Sequence, residues 1–134
     1  MEKIILSGNV GKEPEMKYVI VKRNGEETSQ AVTNFSLATS HMMGTKTETH
    51  WFRVTVWGKL AELCSSYIKS GNKIQLVGRL QADEKGNPRT FQRADGTTGA
   101  SFEIVADEVE FAPKSMSAQT DEAAPASDDV EIPF

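Results

Sequence analysis

The sequence predicts an all-β domain, a small barrel of strands interrupted by one short helix, followed by a polar tail. Three observations lead there. Short apolar runs of strand length are separated by turn-forming clusters, among them Gly8-Asn9-Val10-Gly11, Asn24-Gly25, Gly86-Asn87-Pro88 and Asp95-Gly96. A single window, residues 59–69, carries helical periodicity instead. Composition changes abruptly after Phe111, where apolar residues give way to Ala, Ser, Pro, Asp and Glu. The 134 residues suffice for one domain and a tail.

The elements follow in order. Lys3–Val10 reads as a strand that stops in the Gly-rich turn. Met16–Val21 and Ala31–Ser40 are two strands joined through Arg23-Asn24-Gly25-Glu26, where Asn-Gly signals a hairpin. Trp51–Trp57 is the clearest strand, and Lys73–Leu80 and Ser101–Phe111 supply two more. Gly86-Asn87-Pro88 and Asp95-Gly96 frame a further hairpin with Thr90-Phe91-Gln92 in one arm. Between the strands, Leu60, Leu63, Cys64, Tyr67 and Ile68 form one apolar stripe from Lys59 to Lys69, with Gly71 as the stop and Lys69 suited to the helix dipole. Cys64 lies in the stripe and reads as a small buried hydrophobe. One helix after the third main strand of a five-stranded antiparallel set suggests the five-stranded Greek-key barrel called the OB-fold. An unrelated small barrel with an added helix gives the same coarse pattern.

Composition narrows the function classes. No apolar run approaches the roughly 20 residues of a membrane helix. The apolar run at the N-terminus is too short for a signal peptide. A single cysteine excludes an internal disulfide framework and a Cys-cluster metal site. These bounds lead to the expectation of a soluble, cytoplasmic protein. The net charge of −4 is segregated. Beyond residue 111 stand Lys114 alone against Asp121, Glu122, Asp128, Asp129 and Glu131, so residues 1–111 are neutral. Within that part, residues 46–93 hold nine cations against four anions. A neutral body with one basic stretch and an acidic end is a mild nucleic-acid signal, and an ordinary solvated surface is its alternative. Residues 112–129 lack the apolar content to offset ordering entropy and are expected to be disordered. The final Val130, Ile132, Pro133 and Phe134 reverse that composition and suggest a ligand for another protein. The expected division is therefore 1–111 and 112–134.

Residues 51–57 carry the chemistry. Strand alternation puts Phe52, Val54 and Val56 on one face and Trp51, Arg53, Thr55 and Trp57 on the other. The first set is a core face. The second offers two indoles on which bases can stack, with Arg53 beside the phosphates; burial of both indoles in a subunit interface is the alternative. Arg89-Thr90-Phe91-Gln92-Arg93 repeats one aromatic among cations, on a hairpin that either wraps a strand or is simply solvated around one anchoring Phe. Enzyme signals are weak throughout. Gly44-Thr45-Lys46-Thr47 lacks the upstream glycine of a phosphate loop, His41 and His50 read as polar loop residues, and no catalytic set or metal-ligand spacing is assignable. No catalytic residue, metal or cofactor is expected.

These residues resemble the bacterial-type single-stranded DNA-binding proteins. The similarity covers residues 3–110 and returns at the C-terminal tip. Gly8-Asn9-Val10-Gly11, Pro14-Glu15, Tyr18 and Asn34-Phe35-Ser36-Leu37-Ala38-Thr39-Ser40 look like the first half of that family. Trp51-Phe52-Arg53-Val54 followed by Trp57-Gly58-Lys59-Leu60-Ala61-Glu62 is the most specific stretch; Tyr67, Gly71 and Gly78-Arg79-Leu80 continue in register. Asp128-Asp129-Val130-Glu131-Ile132-Pro133-Phe134 is similar to the family's acidic tip. The resemblance implies an OB-fold, usually a homotetramer, that binds single-stranded DNA without sequence preference and protects it during replication, recombination and repair. It implies stacking on Trp51 and Trp57. It also implies a tip (Asp128, Asp129, Glu131, Ile132, Pro133, Phe134) that recruits helicases, nucleases, and recombination and replication proteins, with a nucleoid location. Met43 stands where the family often has Trp, no aromatic lies near Lys85 where another is common, and Phe91 is the candidate replacement. These departures imply lower affinity per subunit or a different site size. Residues 22–30 are longer than the family's turn. Arg53, Lys59, Lys73, Arg79, Arg89 and Arg93 form the pool for phosphate contacts. An RNA-binding OB module and a protein adaptor are the other readings.

Overall fold

The computed structural model describes residues 1–111; the tail of 112–134, with its expected disorder and tip, lies outside the described residues. The strands are β1 (Ile4–Val10), β2 (Glu15–Arg23), β3 (Glu26–Met43) and β4 (Lys46–Trp57), then α1 (Lys59–Tyr67) and β5 (Lys73–Leu80). A small hairpin of β6 (Thr90–Gln92) and β7 (Thr98–Ala100) precedes β8 (Phe102–Phe111).

Five strands close on themselves. The sheet runs β1-β5-β8-β4-β3, and β1 meets β3 again through Asn9–Ala38 and Val10–Leu37. All neighbours in this ring are antiparallel except β4 and β8, which pair in parallel through Phe52–Thr55 and Phe102–Val105. That closed order, with the helix between the third and fourth barrel strands, is the OB-fold, and it removes the alternative of an unrelated barrel. β2 stands outside the ring as an arm on the first half of β3.

The barrel interior is filled from alternate positions: Phe35 and Leu37 of β3, Val54 and Val56 of β4, Ile74 and Leu76 of β5, and Ile104 of β8 are buried. Thr33 and Thr39 are the polar exceptions, both on β3, and the Thr33 hydroxyl donates to the carbonyl of Ala61 at 2.7 Å. A buried hydroxyl needs such a partner, so this bond also ties α1 to β3. Two glycines mark close approaches. A Cβ on Gly8 would fall on the carbonyl oxygen of Ala38, and one on Gly78 on that of Val105.

The helix is shorter than its apolar stripe predicts. It ends at Tyr67, and Ile68 is already extended, so Lys69 lies outside it and cannot serve its dipole. Gly71 (φ +87°) instead turns the chain, its N–H bonded to the carbonyl of Val10. Ala61, Cys64 and Ile68 are buried, whereas Leu63 and Tyr67 are exposed. The physical reason is width: a helix set on the end of a small barrel presses in a narrower stripe than one lying on a sheet. Burial pushes the Cys64 thiol up to about 11, so it stays protonated at neutral pH and packs as the expected hydrophobe.

The turns behave as their residues dictate. Asn24 (φ 51°) and Gly25 (φ 81°) form the two-residue β2–β3 hairpin that Asn-Gly signals. The ladder β3–β4 is longer than expected. It runs on to Met43 and Lys46, so Gly44-Thr45 is a hairpin tip and His41 and His50 sit in strands, not loops. Their ring centroids are 4.7 Å apart, and His50 Nε2 is hydrogen-bonded to Glu48 Oε1 at 2.9 Å. The misreading has a plain cause. The segments Ser40–Met43 and Lys46–His50 are exposed on almost every side chain, so no apolar alternation announces a strand.

Candidate nucleic-acid interface

The outer face of β4 carries Trp51, Arg53, Thr55 and Trp57, as alternation requires, and the ladder continues it across the neighbouring strands. Trp57 lies opposite Val32 of β3, which lies opposite Lys17 of β2; Thr55 lies opposite Asn34, and its hydroxyl donates to Asn34 Oδ1 at 2.9 Å. On the other side Arg53 faces Glu103 of β8. The β6–β7 hairpin stands over this face. The result is a groove of about 370 Å³, with Lys17 and Val19 on one wall, Arg53 and Trp57 on its floor, and Arg89 and Phe91 on the other wall.

Both indoles are open to solvent, Trp57 at 41 % and Trp51 at 54 %. An exposed indole beside fixed cations on a concave sheet can take a base on its π-face and the adjoining phosphate on the cation. Phe91 is 42 % exposed, and Arg93 lies over its ring with Cζ 5.7 Å from the centroid. Arg93 also donates to the carbonyl of Thr98 at 3.0 Å, so it braces the hairpin from within. At the hairpin's turn the Thr97 hydroxyl and amide bind the Asp95 carboxylate and hold it below the usual carboxylate range. Gly99 leaves room for the Phe91 ring, which a Cβ there would touch at 2.7 Å.

Trp51 borders a second cavity, next to the groove, and its ring reaches back over Gly11. A Cβ on Gly11 would meet Cζ3 of Trp51 and Oγ of Ser36, each at 2.6 Å. Gly11→Ala is therefore expected to displace the Trp51 ring while leaving the barrel folded. The change should appear as an altered tryptophan emission spectrum with a melting temperature within a few degrees of the parent. An unchanged spectrum would mean the ring does not rest there.

The residues singled out from sequence divide as follows. Arg53, Trp57, Arg89 and Phe91 line one groove, Trp51 lies in the adjoining cavity and Arg93 supports Phe91. Lys59, Lys73 and Arg79 border neither concavity. The ladder register puts Met43 on the ribbon face of His41 and Glu48, opposite to that of Trp51; exposed Met42 shares the Trp51 face instead. Lys17 and Val19 of the β2 arm escaped sequence reasoning. Their alternation was visible, but nothing in it says that a three-strand row sets them beside Trp57. Among the described residues no His, Cys, Asp or Glu group could hold a metal ion, and no helix is long and apolar enough to cross a membrane. The tip residues Asp128, Asp129, Glu131, Ile132, Pro133 and Phe134 lie outside the described residues.

Comparison with known proteins gives a consistent result. The model of the family described as "Single-strand binding protein family" matches residues 1–112. The "Single-stranded DNA-binding protein" of Neisseria meningitidis serogroup A (strain Z2491) is 37 % identical over 116 residues, covering 83 % of this chain and 59 % of that protein. The protein of the same name from Clostridium tetani is 35 % identical over 113 residues, covering 83 % of this chain and 70 % of the relative. The chain thus matches about three fifths of the length of the Neisseria relative. Among solved structures, one titled "Plasmodium falciparum SSB complex with ssDNA" superposes with a TM-score of 0.64 at 25 % identity, over 84 % of this chain and 96 % of that one.

Proposed function

This chain belongs to the single-strand binding protein family, and from that premise we propose that it binds single-stranded DNA without sequence preference, as a non-catalytic protein. The observation that carries the reading is the groove over β4, where Trp57 and Arg53 alternate on the floor and Arg89 and Phe91 form a wall. Bases stack on Trp51 and Trp57, and Lys17, Arg53 and Arg89 receive phosphates. Stacking on a π-face tolerates any base, and duplex DNA does not offer its base faces, so the chemistry selects single strands. Bound strand is thereby shielded during replication, recombination and repair.

In the same reading the protein works as a homotetramer. Support comes from β1, which pairs with β3 only through Asn9 and Val10, so its edge from Ile4 to Ser7 is unpaired on that side, beside an exposed Ile5. Residues 112–134 serve as a recruiting arm at the nucleoid: Ile132, Pro133 and Phe134 are apolar, and Asp128, Asp129 and Glu131 favour basic surroundings, so a partner supplies an apolar pocket next to cations. Helicases, nucleases, and recombination and replication proteins are the partner class.

The test is a titration of the full chain with oligo(dT), oligo(U) and duplex DNA, followed by tryptophan fluorescence at low and high salt. Strong quenching by oligo(dT), little response to duplex and a shallow salt slope are expected, because stacking outweighs phosphate contacts. Absence of quenching would place the indoles in protein contacts and favour an adaptor. Equal affinity for oligo(U) would favour RNA.

A further inference from the structure

Beside the groove lies a second cavity of about 600 Å³, beneath the loop from Ala82 to Pro88. Three large apolar side chains converge on it while exposed to solvent: Trp51 at 54 %, Leu80 at 52 % and Phe102 at 58 %. Exposed apolar surface gathered in one concavity is characteristic of a binding site. The covering loop is well braced. Ala82 and Pro88 form a bridge, the Asp83 amide donates to the Asn87 carbonyl at 2.8 Å, and Asp83 Oδ1 accepts from the amides of Lys85 (2.9 Å) and Asn87 (2.8 Å). The cavity is thus preformed.

Its position is set by the sheet. Phe102 lies opposite Phe52 in the parallel β4–β8 ladder, and that ladder begins there. Trp51, the preceding residue, leaves β4 on the other face. The cavity therefore opens round the end of the sheet, where β4 runs on without β8. Phe102 is backed by Phe52 (centroids 5.5 Å) and His50 (6.4 Å). Ser101, whose buried hydroxyl has no partner, lines the same wall.

We propose that this cavity is a nucleobase site on the path of the single strand, with Phe102 as a further base-stacking residue and Leu80 as its apolar wall. The inference rests on the DNA-binding reading and extends it. What points to a base as occupant is continuity: Gln81, Arg89 and Glu103 line both the groove and the cavity, so a strand leaving Trp57 reaches Trp51 and Phe102 across Arg89. At that divide Arg89 lies 3.6 Å from Glu103, and a crossing phosphate takes the place of the carboxylate on the guanidinium.

The experiment uses the full chain with oligo(dT) carrying 5-iododeoxyuridine, irradiated and mapped by mass spectrometry, together with affinity measurements on Phe102→Ala and Phe102→Tyr. Adducts at Phe102, an affinity loss of about tenfold for Phe102→Ala and near-parent binding by Phe102→Tyr are expected. The crosslink is made on the unaltered protein, so it does not depend on a variant folding. No adduct at Phe102 and full affinity in Phe102→Ala, while Trp57→Ala still weakens binding, would overturn the cavity's role and leave the family reading standing. Failure of the unaltered chain to bind oligo(dT) would overturn both.

Discussion

Trp57→Ala is expected to weaken oligo(dT) binding by about 1–3 kcal/mol, the contribution of one stacked base. The indole lies on the groove floor between the β2 arm and the β6–β7 hairpin, in the row Lys17–Val32–Trp57, and is still substantially exposed. Removing it takes away a stacking surface without opening the core, because the neighbouring Val56 and not Trp57 fills the barrel. Folding stability should therefore change by no more than about 1 kcal/mol, as for other exposed positions. Trp57→Phe should recover part of the affinity, since a smaller ring still stacks. Trp51 belongs to the adjoining cavity, so the loss in the double variant should approach the sum of the two single losses. Fluorescence anisotropy with labelled oligo(dT) measures this, and urea unfolding supplies the stability control. Parent affinity in Trp57→Ala would remove the groove from the DNA path.

Gly8→Ala should have the largest effect on stability. Gly8 sits where β1 swings across to meet β3, and the ring is closed there by only the Asn9–Ala38 and Val10–Leu37 pairs. A methyl group at Gly8 would fall on the carbonyl oxygen of Ala38, a backbone atom that cannot rotate away as a side chain can. Relief requires the strands to part at the closing seam. The expected cost is about 3 kcal/mol, at the upper end for an overpacked site. Ser7→Ala, next to it on the exposed face of β1, should stay within about 0.5 kcal/mol of the parent. Urea unfolding of the pair decides the matter, and equal midpoints for the two variants would mean that the seam is not tight at Gly8.

The β4 segment shows how much was legible in advance. Phe52, Val54 and Val56 alternate strictly with Trp51, Arg53, Thr55 and Trp57, and one rule about side-chain direction turned that string into a core face and a solvent face, as the burial of Val54 and Val56 and the exposure of both indoles bear out. Asn24-Gly25 gave its hairpin for the same local reason, since few residue pairs accept two positive φ angles. His41 and His50 were not legible as strand residues, because a ribbon projecting beyond the barrel has no buried face to print a pattern. The stripe of α1 was read too wide, because periodicity reports which residues could be buried and not how much of a helix a small barrel end can cover.

Local chemistry in the chain thus settled the kind and the inward side of the elements that carry a buried face, β4 foremost. Which strands meet was decided only in three dimensions. Closure of β1 on β3, the parallel pairing of β4 with β8, the row that brings Lys17 to Trp57 and the corner that brings Phe102 towards Trp51 all join residues far apart in sequence. Periodicity within one strand carries no information about its neighbour. Pairing follows from how the whole set of apolar faces can be buried together, and that is a property of the assembled barrel.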